Sequence, residues 1–328
     1  MLEVDVEVDR RDLTVRGAFQ VAPGERLALF GPSGAGKTTI LETVAGLVPH
    51  ARGHVVLAGR VLTQTQAPRR AVPPWRRRVG LLRQDPGLFP HLTVRQNLAY
   101  APGADPSGQE TVAIAAQLGI GQLLDARPAR LSGGQAHRAA LGRLLLAHCD
   151  ALLLDEPYSG LDDALRRVLT DLVRSLVAAR EVPAVLVAHE LADAQAFADR
   201  LAVLDQGRIL QVGTPDEVVL EPVTRRVAEL VGYRSFVPVT GPDGSVAGVH
   251  PERVAVGAHP GRGVVLAGPV VAFRPSGAGW EADIEARGAV LYCHLADRPA
   301  TGGAELEITL LDPPFFGPDG ALLPQASA

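Results

Sequence analysis

The feature that most constrains this chain is a glycine-rich segment placed between an apolar run and a helical pattern. Residues 31–38 read Gly-Pro-Ser-Gly-Ala-Gly-Lys-Thr and fit the phosphate-loop pattern G-x-x-x-x-G-K-S/T. The run Arg26–Phe30 before them predicts a short strand, and residues 37–47 after them predict a helix. A strand, a glycine loop and a helix in this order indicate an α/β fold whose loop binds the phosphates of a nucleoside triphosphate.

Lys37 is the only lysine of the chain, and every other permanently basic side chain is arginine. A loop that surrounds phosphate needs a slim point charge, which a planar guanidinium does not supply. We expect Lys37 to reach the β and γ phosphates, and the Thr38 hydroxyl to hold Mg²⁺. The backbone N–H groups of the loop and the helix start add positive partial charge. The predicted nucleotide-binding residues of this segment are Gly31, Pro32, Ser33, Gly34, Ala35, Gly36, Lys37, Thr38 and Thr39.

Composition limits the classes of protein to which the chain can belong. A length of 328 residues suggests about two domains, and 47% hydrophobic with 21% charged residues is typical of a globular chain. A formal net charge of −4 gives no basic field, so we predict no nucleic-acid partner. Cys149 and Cys293 lie far apart in the sequence, which favours reduced thiols over a disulfide or a metal site.

The chain shows no signal for entering a membrane. Residues 1–11 alternate apolar and charged types and lack the apolar stretch of a cleavable signal. No run approaches the roughly 20 apolar residues that a membrane-spanning helix requires. We therefore expect a soluble chain that can dock on a membrane protein.

Strand and helix patterns alternate over the first two thirds of the sequence. Predicted strands cover 2–8, 13–21, 26–30, 152–154, 184–188 and 201–204, with more strands within 53–84. Helical patterns cover 93–130, with a break at 102–108, and about 163–180. This alternation predicts a core built on a parallel sheet.

The composition changes after about Tyr233, where glycine, proline and short strand-like runs replace helical periodicity. The runs are 253–256, 270–273, 281–286, 289–295 and 305–310. They predict a separate small β domain of barrel type, and the tail after Pro313 is expected to be weakly ordered.

An apolar run over 152–154 ends in two carboxylates, Asp155 and Glu156. Ligands bind at the carboxyl ends of strands in open α/β sheets, so both acids are placed to meet the phosphates. We expect Asp155 to hold Mg²⁺, directly or through water, and Glu156 to polarise the water that attacks the γ phosphate.

A second anion site is predicted about twenty residues before the acidic pair. Leu131 is followed by Ser132, Gly133, Gly134 and Gln135, which open a helix with a capping serine. One chain has no evident need for a second phosphate-binding helix start. Two chains facing each other would use it, each closing on the γ phosphate of the other, so the segment predicts a homodimer.

These motifs together resemble the ATPase subunit of an ATP-binding cassette (ABC) transporter over about residues 1–232. The resemblance implies that Gln84, within 82–85, is the Q-loop residue that touches Mg²⁺ and the attacking water and senses the membrane subunit. It implies that Asp162, within 159–162, belongs to the D-loop at the dimer interface and contributes to the nucleotide site. It also implies that His189 is the switch histidine that contacts the γ phosphate.

The resemblance implies a fold and a set of partners. The fold is a P-loop NTPase cassette over 1–232, with a parallel-sheet core, an antiparallel β subdomain and a helical subdomain at about 93–147. A small OB-like β-barrel domain of the transport-associated type would occupy 233–328. The implied activity is hydrolysis of ATP with Mg²⁺ by a homodimer at the cytoplasmic face of the cell membrane. The dimer would bind permease subunits, with a docking groove around 84–91, and act indirectly with a periplasmic or lipoprotein solute-binding protein.

Three features depart from the family pattern or stand apart from it. His137 occupies a position where the family usually has glutamine. Residues 1–18 contain no aromatic side chain to stack on adenine, and the strand phase of Phe19 predicts a core position, so the adenine contact stays open. The arginine run 76–78 predicts a solvated edge.

The sequence favours an importer of small oxyanions. His250, Pro251, Glu252, Arg253 and Val254 resemble the Arg-Pro-Glu-x-Val element in the appended β domain of importer ATPases, with histidine in the first position. The short helical segment 97–131 and the residues of 80–97 resemble the ATPase subunit of molybdate importers.

Other functions remain open on the sequence. Tungstate is a similar substrate, and sulfate, iron(III) and polyamine importers share much of the pattern. A DNA-repair ATPase would need a long coiled-coil insertion and a translation factor two cassettes, and neither is present. A purely regulatory, oxyanion-sensing chain is disfavoured, because Glu156 and His189 are intact.

Overall fold

The computed structural model describes residues 1–10, 12–100, 105, 108–239, 244–259, 263–276, 279–295, 297, 303 and 305–323. The chain divides into two compact units, residues 1–215 and residues 216 onward. The predicted domain boundary at 232/233 falls within the second unit and stays a prediction. Most of the predicted helical break at 102–108 lies outside the described residues.

The first unit contains two sheets. Its strands, in chain order, are β1 (Leu2–Arg10), β2 (Leu13–Val21), β3 (Arg26–Phe30), β4 (Arg52–Leu57), β5 (Arg60–Gln64), β6 (Arg70–Ala71), β7 (Val79–Leu82), β8 (Ala151–Asp155), β9 (Ala184–Ala188), β10 (Arg200–Asp205) and β11 (Arg208–Gly213). The helices of the chain are α1 (Lys37–Ala45), α2 (Val94–Leu98), α3 (Gln109–Gln117), α4 (Gly133–Leu146), α5 (Asp163–Arg180), α6 (Leu191–Phe197), α7 (Pro215–Leu220) and α8 (Arg225–Leu230). Within the described residues, none of these helices has the length and apolar character to cross a membrane.

The larger sheet carries the site. Its strand order is β11-β10-β3-β9-β8-β7, in which β10, β3, β9, β8 and β7 are parallel and β11 pairs antiparallel with β10. Strands β8 and β9 are buried at every position. Such continuous apolar strands are typical of parallel sheets covered on both faces. The parallel pairing brings the carboxyl ends of β3, β8 and β9 to one edge, where the candidate site residues follow.

The second sheet of this unit is antiparallel, with strand order β2-β1-β4-β5-β6. Strand β1 alternates strictly, and its buried side chains are Leu2, Val4, Val6 and Val8. They pack around Ile40 and the rest of α1 in one core cluster. Phe19 belongs to the same cluster, as its strand phase predicts, so its ring is not available to a ligand.

Three helices pack together beside the sheets. Helix α4 packs against α2 and α3. Gly142 makes the close approach possible, because a Cβ atom there would lie 2.5 Å from Leu98 Cδ2 and 2.6 Å from Leu118 Cδ1. Helix α2 begins with a capping box, in which Thr93 and Gln96 bond each other's backbone N–H groups.

The arginine run 76–78 is not simply a solvated edge, because Arg77 is buried. Its guanidinium donates to the carbonyls of Val72 and Val44 at 2.8 Å and to the Thr63 hydroxyl at 2.9 Å, and it is 4% exposed. Val44 lies in the last turn of α1, the helix that follows the phosphate loop. Arg77 therefore holds the C-terminal end of that helix, where carbonyl groups lack helical partners. A run of like charges predicts solvent exposure for all its members, and only tertiary contacts single out the middle one.

The second unit is a small β structure. Its strands are β12 (Ser235–Pro238), β13 (Val246–Val249), β14 (Val254–Val256), β15 (Gly263–Ser276), β16 (Gly279–Ala286), β17 (Ala289–Leu295), β18 (Glu305–Leu311) and β19 (Phe315–Phe316). They form a sheet β12-β13-β19 and a sheet β14-β18-β15-β16-β17. The long strand β15 pairs with β18 before an irregularity at Val270–Ala272 and with β16 after it. The edge strands β14 and β17 also contact each other, so the larger sheet curls in a manner compatible with an OB-like barrel.

The segment after Pro313 differs from the weak order expected of it. Phe316 is fully buried and pairs with Val246, and Gly320 accepts a hydrogen bond from the backbone N–H of Arg225. The two adjacent phenylalanines supply enough apolar surface to fix residues 314–323. Residues 324–328 lie outside the described residues.

We expect Arg77→Met to destabilise the first unit by about 2–4 kcal/mol, because it leaves buried carbonyl groups without donors. Urea unfolding followed by circular dichroism measures the loss. The exposed neighbour Arg76 provides the matched control, and Arg76→Met should change the free energy of unfolding by less than about 0.5 kcal/mol. If both substitutions change the free energy of unfolding by the same amount, the buried contacts of Arg77 do not contribute to stability.

Candidate functional site

The glycine loop runs from the end of β3 to the start of α1, and close contacts leave no room for a Cβ atom at two of its glycines. Gly31 has φ 154°, and a Cβ atom there would lie 1.9 Å from the carbonyl oxygen of Leu204 on β10. Gly36 has φ 105°, and its Cβ would lie 2.7 Å from Val15 Cγ2. Ala35 accepts a hydrogen bond of 3.1 Å from the N–H of Gly207. The loop is thus shaped by β2 and β10 as well as by its own residues.

Lys37 lies at the first position of α1 and is 5% exposed. Its Nζ donates to the carbonyls of Gly31 at 2.8 Å and Pro32 at 3.0 Å, which hold the ammonium group over the loop. Burial lowers the pKa of Lys37, while the nearby carboxylates of Glu156 and Asp155 act in the opposite direction. A buried cation beside converging N–H groups is suited to an anionic ligand.

Asp155 ends β8 and meets the loop through Thr38. The Thr38 hydroxyl donates to Asp155 Oδ1 at 3.1 Å, and Asp155 is 4% exposed. Burial raises the pKa of Asp155, and the bond from Thr38 partly offsets this shift. A carboxylate and a hydroxyl oxygen are hard donors of the kind Mg²⁺ prefers, with phosphate and water oxygens as its other ligands. The described residues contain no group of three or more His, Cys, Asp or Glu that could hold a metal ion.

Glu156 and His189 form a close pair. Glu156 Oε1 lies 2.5 Å from His189 Nε2, and the two residues follow the neighbouring parallel strands β8 and β9. Glu156 has φ 52°, a left-handed conformation that non-glycine residues rarely adopt. Its N–H donates to Val187 at 3.2 Å and its carbonyl accepts from Ser159 at 3.3 Å, so the unusual backbone is held from both sides.

One cleft collects half of the predicted site residues. Its volume is about 350 Å³. The residues that line it are Ser33, Gly34, Gly36, Lys37, Thr38, Thr39, Gln84, Glu156 and His189. Gln84 comes from the segment after β7, so four separate parts of the sequence meet here. The cleft joins a cationic phosphate loop, a carboxylate able to accept a proton and a histidine beside it, which is suited to transfer of a phosphoryl group to water.

The predicted residues at the start of α4 and in the D-loop are placed elsewhere in the first unit. Ser132 caps α4 and forms a capping box with Gln135, so the side chain of Gln135 serves its own helix. Gly133 and Gly134 have no neighbouring atom within 4 Å of a Cβ position. Asp162 caps α5 by accepting from the N–H of Leu165 at 2.9 Å. None of these five residues is among those that line the cleft in the described chain.

His137 lies one turn into α4 and is 7% exposed. The ring lies near the backbone of Pro157, next to Glu156, and its Nε2 finds no hydrogen-bond partner within the described chain. Burial lowers the pKa of His137, against opposing effects of the Pro157 backbone and the Glu156 charge. The family departure noted in the sequence thus connects α4 with the turn that carries Glu156.

No motif in the sequence identifies the residues that hold the turn carrying Glu156. Val187 acts through its backbone carbonyl, which every residue type possesses, so no signal marks it in the sequence. Arg166 also lies near the site, with 24% of its side chain exposed, and it is one of many arginines in the chain. A helical position one turn after the predicted D-loop is the only signal that could have singled it out.

Comparisons with known proteins give the family. A family model described as "ABC transporter" matches residues 16–159. The chain is 42% identical over 250 residues to the molybdenum import ATP-binding protein ModC of Mycobacterium tuberculosis, an alignment that covers 74% of this chain and 66% of the relative. It is 37% identical over 255 residues to the sn-glycerol-3-phosphate import ATP-binding protein UgpC of Cereibacter sphaeroides, with coverage of 76% and 71%. The chain belongs to the ABC transporter ATP-binding family.

Two more comparisons describe this ABC protein further. It is 40% identical over 225 residues to the Fe(3+) ions import ATP-binding protein FbpC of Mesorhizobium japonicum, with coverage of 68% and 62%. The ModC and FbpC alignments thus span less than two thirds of those relatives' own lengths. A dimeric post-hydrolysis structure of the ATP-binding cassette MJ0796, bound to ADP and Pi, is similar with a TM-score of 0.56 and 23% identity. It covers 66% of this chain and 99% of its own, and it confirms the cassette fold predicted from the motifs.

We expect His137→Gln to flatten the dependence of stability on acid pH. With the pKa of folded His137 lowered, the ring is neutral in both states above an unfolded pKa of about 6.5 and contributes no pH dependence there. Below that pH the unfolded chain takes up the proton more readily, so the native chain loses stability, by at most about 1.4 kcal/mol per pH unit from this group.

Urea unfolding of the wild type and His137→Gln at pH 7.5, 6 and 5 measures the difference. The gap should shift in favour of the variant as the pH falls. The exposed His50→Gln is the control and should run parallel to the wild type. A constant gap between wild type and His137→Gln would contradict the assignment of a buried, proton-resisting ring.

Proposed function

We propose that this chain is the ATP-hydrolysing subunit of a bacterial ABC importer. The observation that carries the proposal is the cleft in which the phosphate loop, Gln84, Glu156 and His189 meet. The proposed division of the chain is a cassette over 1–232 and a small β domain over 233–328. Membership of the ABC family supports ATP as the nucleotide, and no aromatic partner for adenine is assigned.

The proposed roles follow the geometry of the cleft. The loop N–H groups and Lys37 bind the β and γ phosphates, since Lys37 is the buried cation of the loop. Thr38 and Asp155 would hold Mg²⁺, with Gln84 at the edge of the same cleft. When bound, the ion would neutralise the negative charge that develops on the phosphate oxygens.

Glu156 is the proposed general base. A carboxylate within reach of the attacking water can accept its proton, and such a group contributes typically 10²–10⁴-fold to the rate. The bond from the Glu156 N–H to the Val187 carbonyl and the bond from the Ser159 N–H to the Glu156 carbonyl keep the backbone of Glu156 in its strained conformation, so the carboxylate would be fixed before ATP arrives. His189, whose Nε2 lies 2.5 Å from Glu156 Oε1, would contact the γ phosphate and orient the carboxylate.

The second half of the site is proposed to come from another copy of the chain. Ser132 and the N–H groups at the start of α4, which lie outside the cleft lining, would bind the γ phosphate held by the other copy. The absence of neighbours around Gly133 and Gly134 supports this role, because nothing in their own described surroundings requires glycine there. Gln135 and Asp162, which cap α4 and α5, would complete the contacts across the homodimer.

A permease is the proposed membrane partner. The segment 84–91 and the helices α2–α4 form the proposed docking region at the cytoplasmic face of the membrane. Phe89 of this region lies with its ring 4.1 Å from the ring of Tyr100, which follows shortly after α2 and is 57% exposed, and Arg143 of α4 lies over Phe89 at 5.3 Å. Aromatic and arginine side chains are enriched at the centre of binding surfaces. A solute-binding protein would act indirectly through the permease.

Molybdate is the proposed substrate, with ATP hydrolysis driving its uptake. The name of the ModC relative and the short helical segment support this choice. The names of the FbpC and UgpC relatives support iron(III) and glycerol phosphate as alternatives, and sulfate and polyamines are further ones. The second unit is proposed either to bind an oxyanion or to join two copies of the chain.

Two inactive variants should restore each other when mixed, because each supplies one intact half of a shared site. Lys37→Ala loses phosphate binding but keeps the start of α4. Gly134→Leu keeps the phosphate loop. This variant should fold like the wild type, since a Cβ atom at position 134 would have no described neighbour within 4 Å. Each variant alone should hydrolyse ATP at least about 100-fold more slowly than the wild type, and an equal mixture should recover part of the rate.

The measurement is phosphate release at several protein concentrations. Mixing Lys37→Ala with itself at the same total concentration is the control. Recovery confined to the mixture supports two half-sites from two chains. Full hydrolysis by Gly134→Leu alone, or by a strict monomer, would overturn the proposed dimer.

The substrate is tested by searching the neighbouring genes for a permease and a solute-binding protein and by purifying both. We expect the binding protein to bind molybdate in calorimetry, and molybdate-loaded binding protein to raise the ATPase rate of the reconstituted complex. Fe³⁺, sulfate and glycerol 3-phosphate are the matched comparisons. Binding and stimulation by one of these solutes, with none by molybdate, would replace the proposed substrate while leaving the importer assignment intact.

A further inference from the structure

Arg166 collects charges from two segments beside the cleft. It lies in the first turn of α5 and its Nη1 is 3.1 Å from Glu190 Oε2, 3.5 Å from Asp193 Oδ1 and 3.8 Å from Asp163 Oδ1. Its Nη2 donates to the carbonyl of Leu161, in the predicted D-loop, at 3.4 Å. One guanidinium therefore joins the D-loop to two carboxylates that follow His189 in the sequence.

The carboxylates bound by Arg166 belong to the start of α6. Glu190 directly follows His189 and is the N-cap residue of α6, yet its side chain makes no capping bond. Asp193 lies in the first turn, with 16% of its side chain exposed. The ion pairs with Arg166 thus hold the N-terminal end of α6, the helix that follows His189. A displacement of this end would move the His189 backbone with it.

A small cavity places Arg166 behind the proposed catalytic pair. The cavity has a volume of about 130 Å³ and is lined by Arg166 and Asp193, and also by Glu156 and His189. Glu156 and His189 also line the nucleotide cleft. The pair therefore separates two spaces, with the phosphate loop on one side and the Arg166 cluster on the other.

The positive charge of Arg166 offsets the mutual repulsion of the carboxylates in the cluster. Burial raises the pKa of Asp193, Arg166 opposes this shift, and Glu190 and Asp163 add to it. Removal of the guanidinium would leave three neighbouring carboxylates without their shared cation. Like charges at this distance repel each other, and a half-buried one is costly to keep ionised. The first turn of α6 would then relax away from α5.

We propose that Arg166 is a positioning residue for the ATP hydrolysis proposed above, on which this inference rests. It sets the His189 ring against Glu156 by fixing the start of α6, and it makes this placement depend on the D-loop through Leu161. Arg166 is not among the described residues that line the nucleotide cleft. It acts on the reaction only through His189.

A purely structural tie between α5 and α6 is the competing interpretation, and the chain offers a control for it. Arg174 lies two turns further along α5, and its Nη1 donates to the carbonyl of Ala196 near the other end of α6 at 2.6 Å. Arg166→Met and Arg174→Met each remove one arginine that connects the same two helices. Only the first is expected to disturb His189.

The kinetic test uses the full chain. We expect Arg166→Met to lower kcat about 10- to 100-fold, as a misplaced reacting group does, with the Kd for ATP unchanged. Arg166→Lys should be intermediate, because a lysine keeps the charge but not the planar fork. Arg174→Met should keep the wild-type kcat. In a His189→Ala background, Arg166→Met should cause no further loss, since coupled residues are not additive.

A spectroscopic test separates this inference from the proposed function. The imidazole Cε1–H signal of His189, assigned by its disappearance in His189→Ala, should move in Arg166→Met and stay in place in Arg174→Met. Arg166→Lys provides the same readout if the methionine variant fails to fold. An unmoved signal, or an undiminished loss of kcat in the His189→Ala background, overturns the positioning role. A wild-type chain without ATPase activity refutes the proposed function, and the signal of His189 still decides the role of Arg166.

Discussion

The parallel pairing of β3, β9 and β8 is the constraint on which the site depends. Because these strands are neighbours and run in one direction, the phosphate loop, His189 and the acidic pair emerge at the same edge of the sheet. The distances in the site follow from this arrangement: Thr38 reaches Asp155 at 3.1 Å, and Glu156 reaches His189 at 2.5 Å. Each contact joins segments that belong to or follow different strands, so neither would exist if one strand changed its place in the order.

Much of the site could be predicted from the sequence, because its motifs encode backbone requirements and charge in the same few residues. The glycines of the loop indicate positive φ angles and close contacts. The acids after an apolar run indicate the edge of a sheet. The bounds of β2, β3, β9 and α5 were also predictable, because burial and amphipathic period agree with local propensity there. The family resemblance then placed Gln84 and His189, which no local pattern distinguishes.

Other features could not be predicted because they depend on what packs against a residue. Arg77 shares its sequence environment with two neighbouring arginines, and only the end of α1 above it explains its burial. Phe316 belongs to a short segment rich in glycine and proline, and its order comes from pairing with Val246 across about 70 residues of chain. The cluster around Arg166 is likewise assembled from two helices.

The contact between Gly31 and Leu204 has a consequence for how the protein is made. The two residues are 173 positions apart, and the N–H of Gly207 reaches the loop at Ala35 as well. During synthesis, the phosphate loop leaves the ribosome long before β10 exists to support it. A nascent chain therefore carries its complete nucleotide-binding motif without the partner strand that gives the motif its shape. Competence to hold a nucleotide should arise late in translation, and a long-range closure of this kind also slows folding.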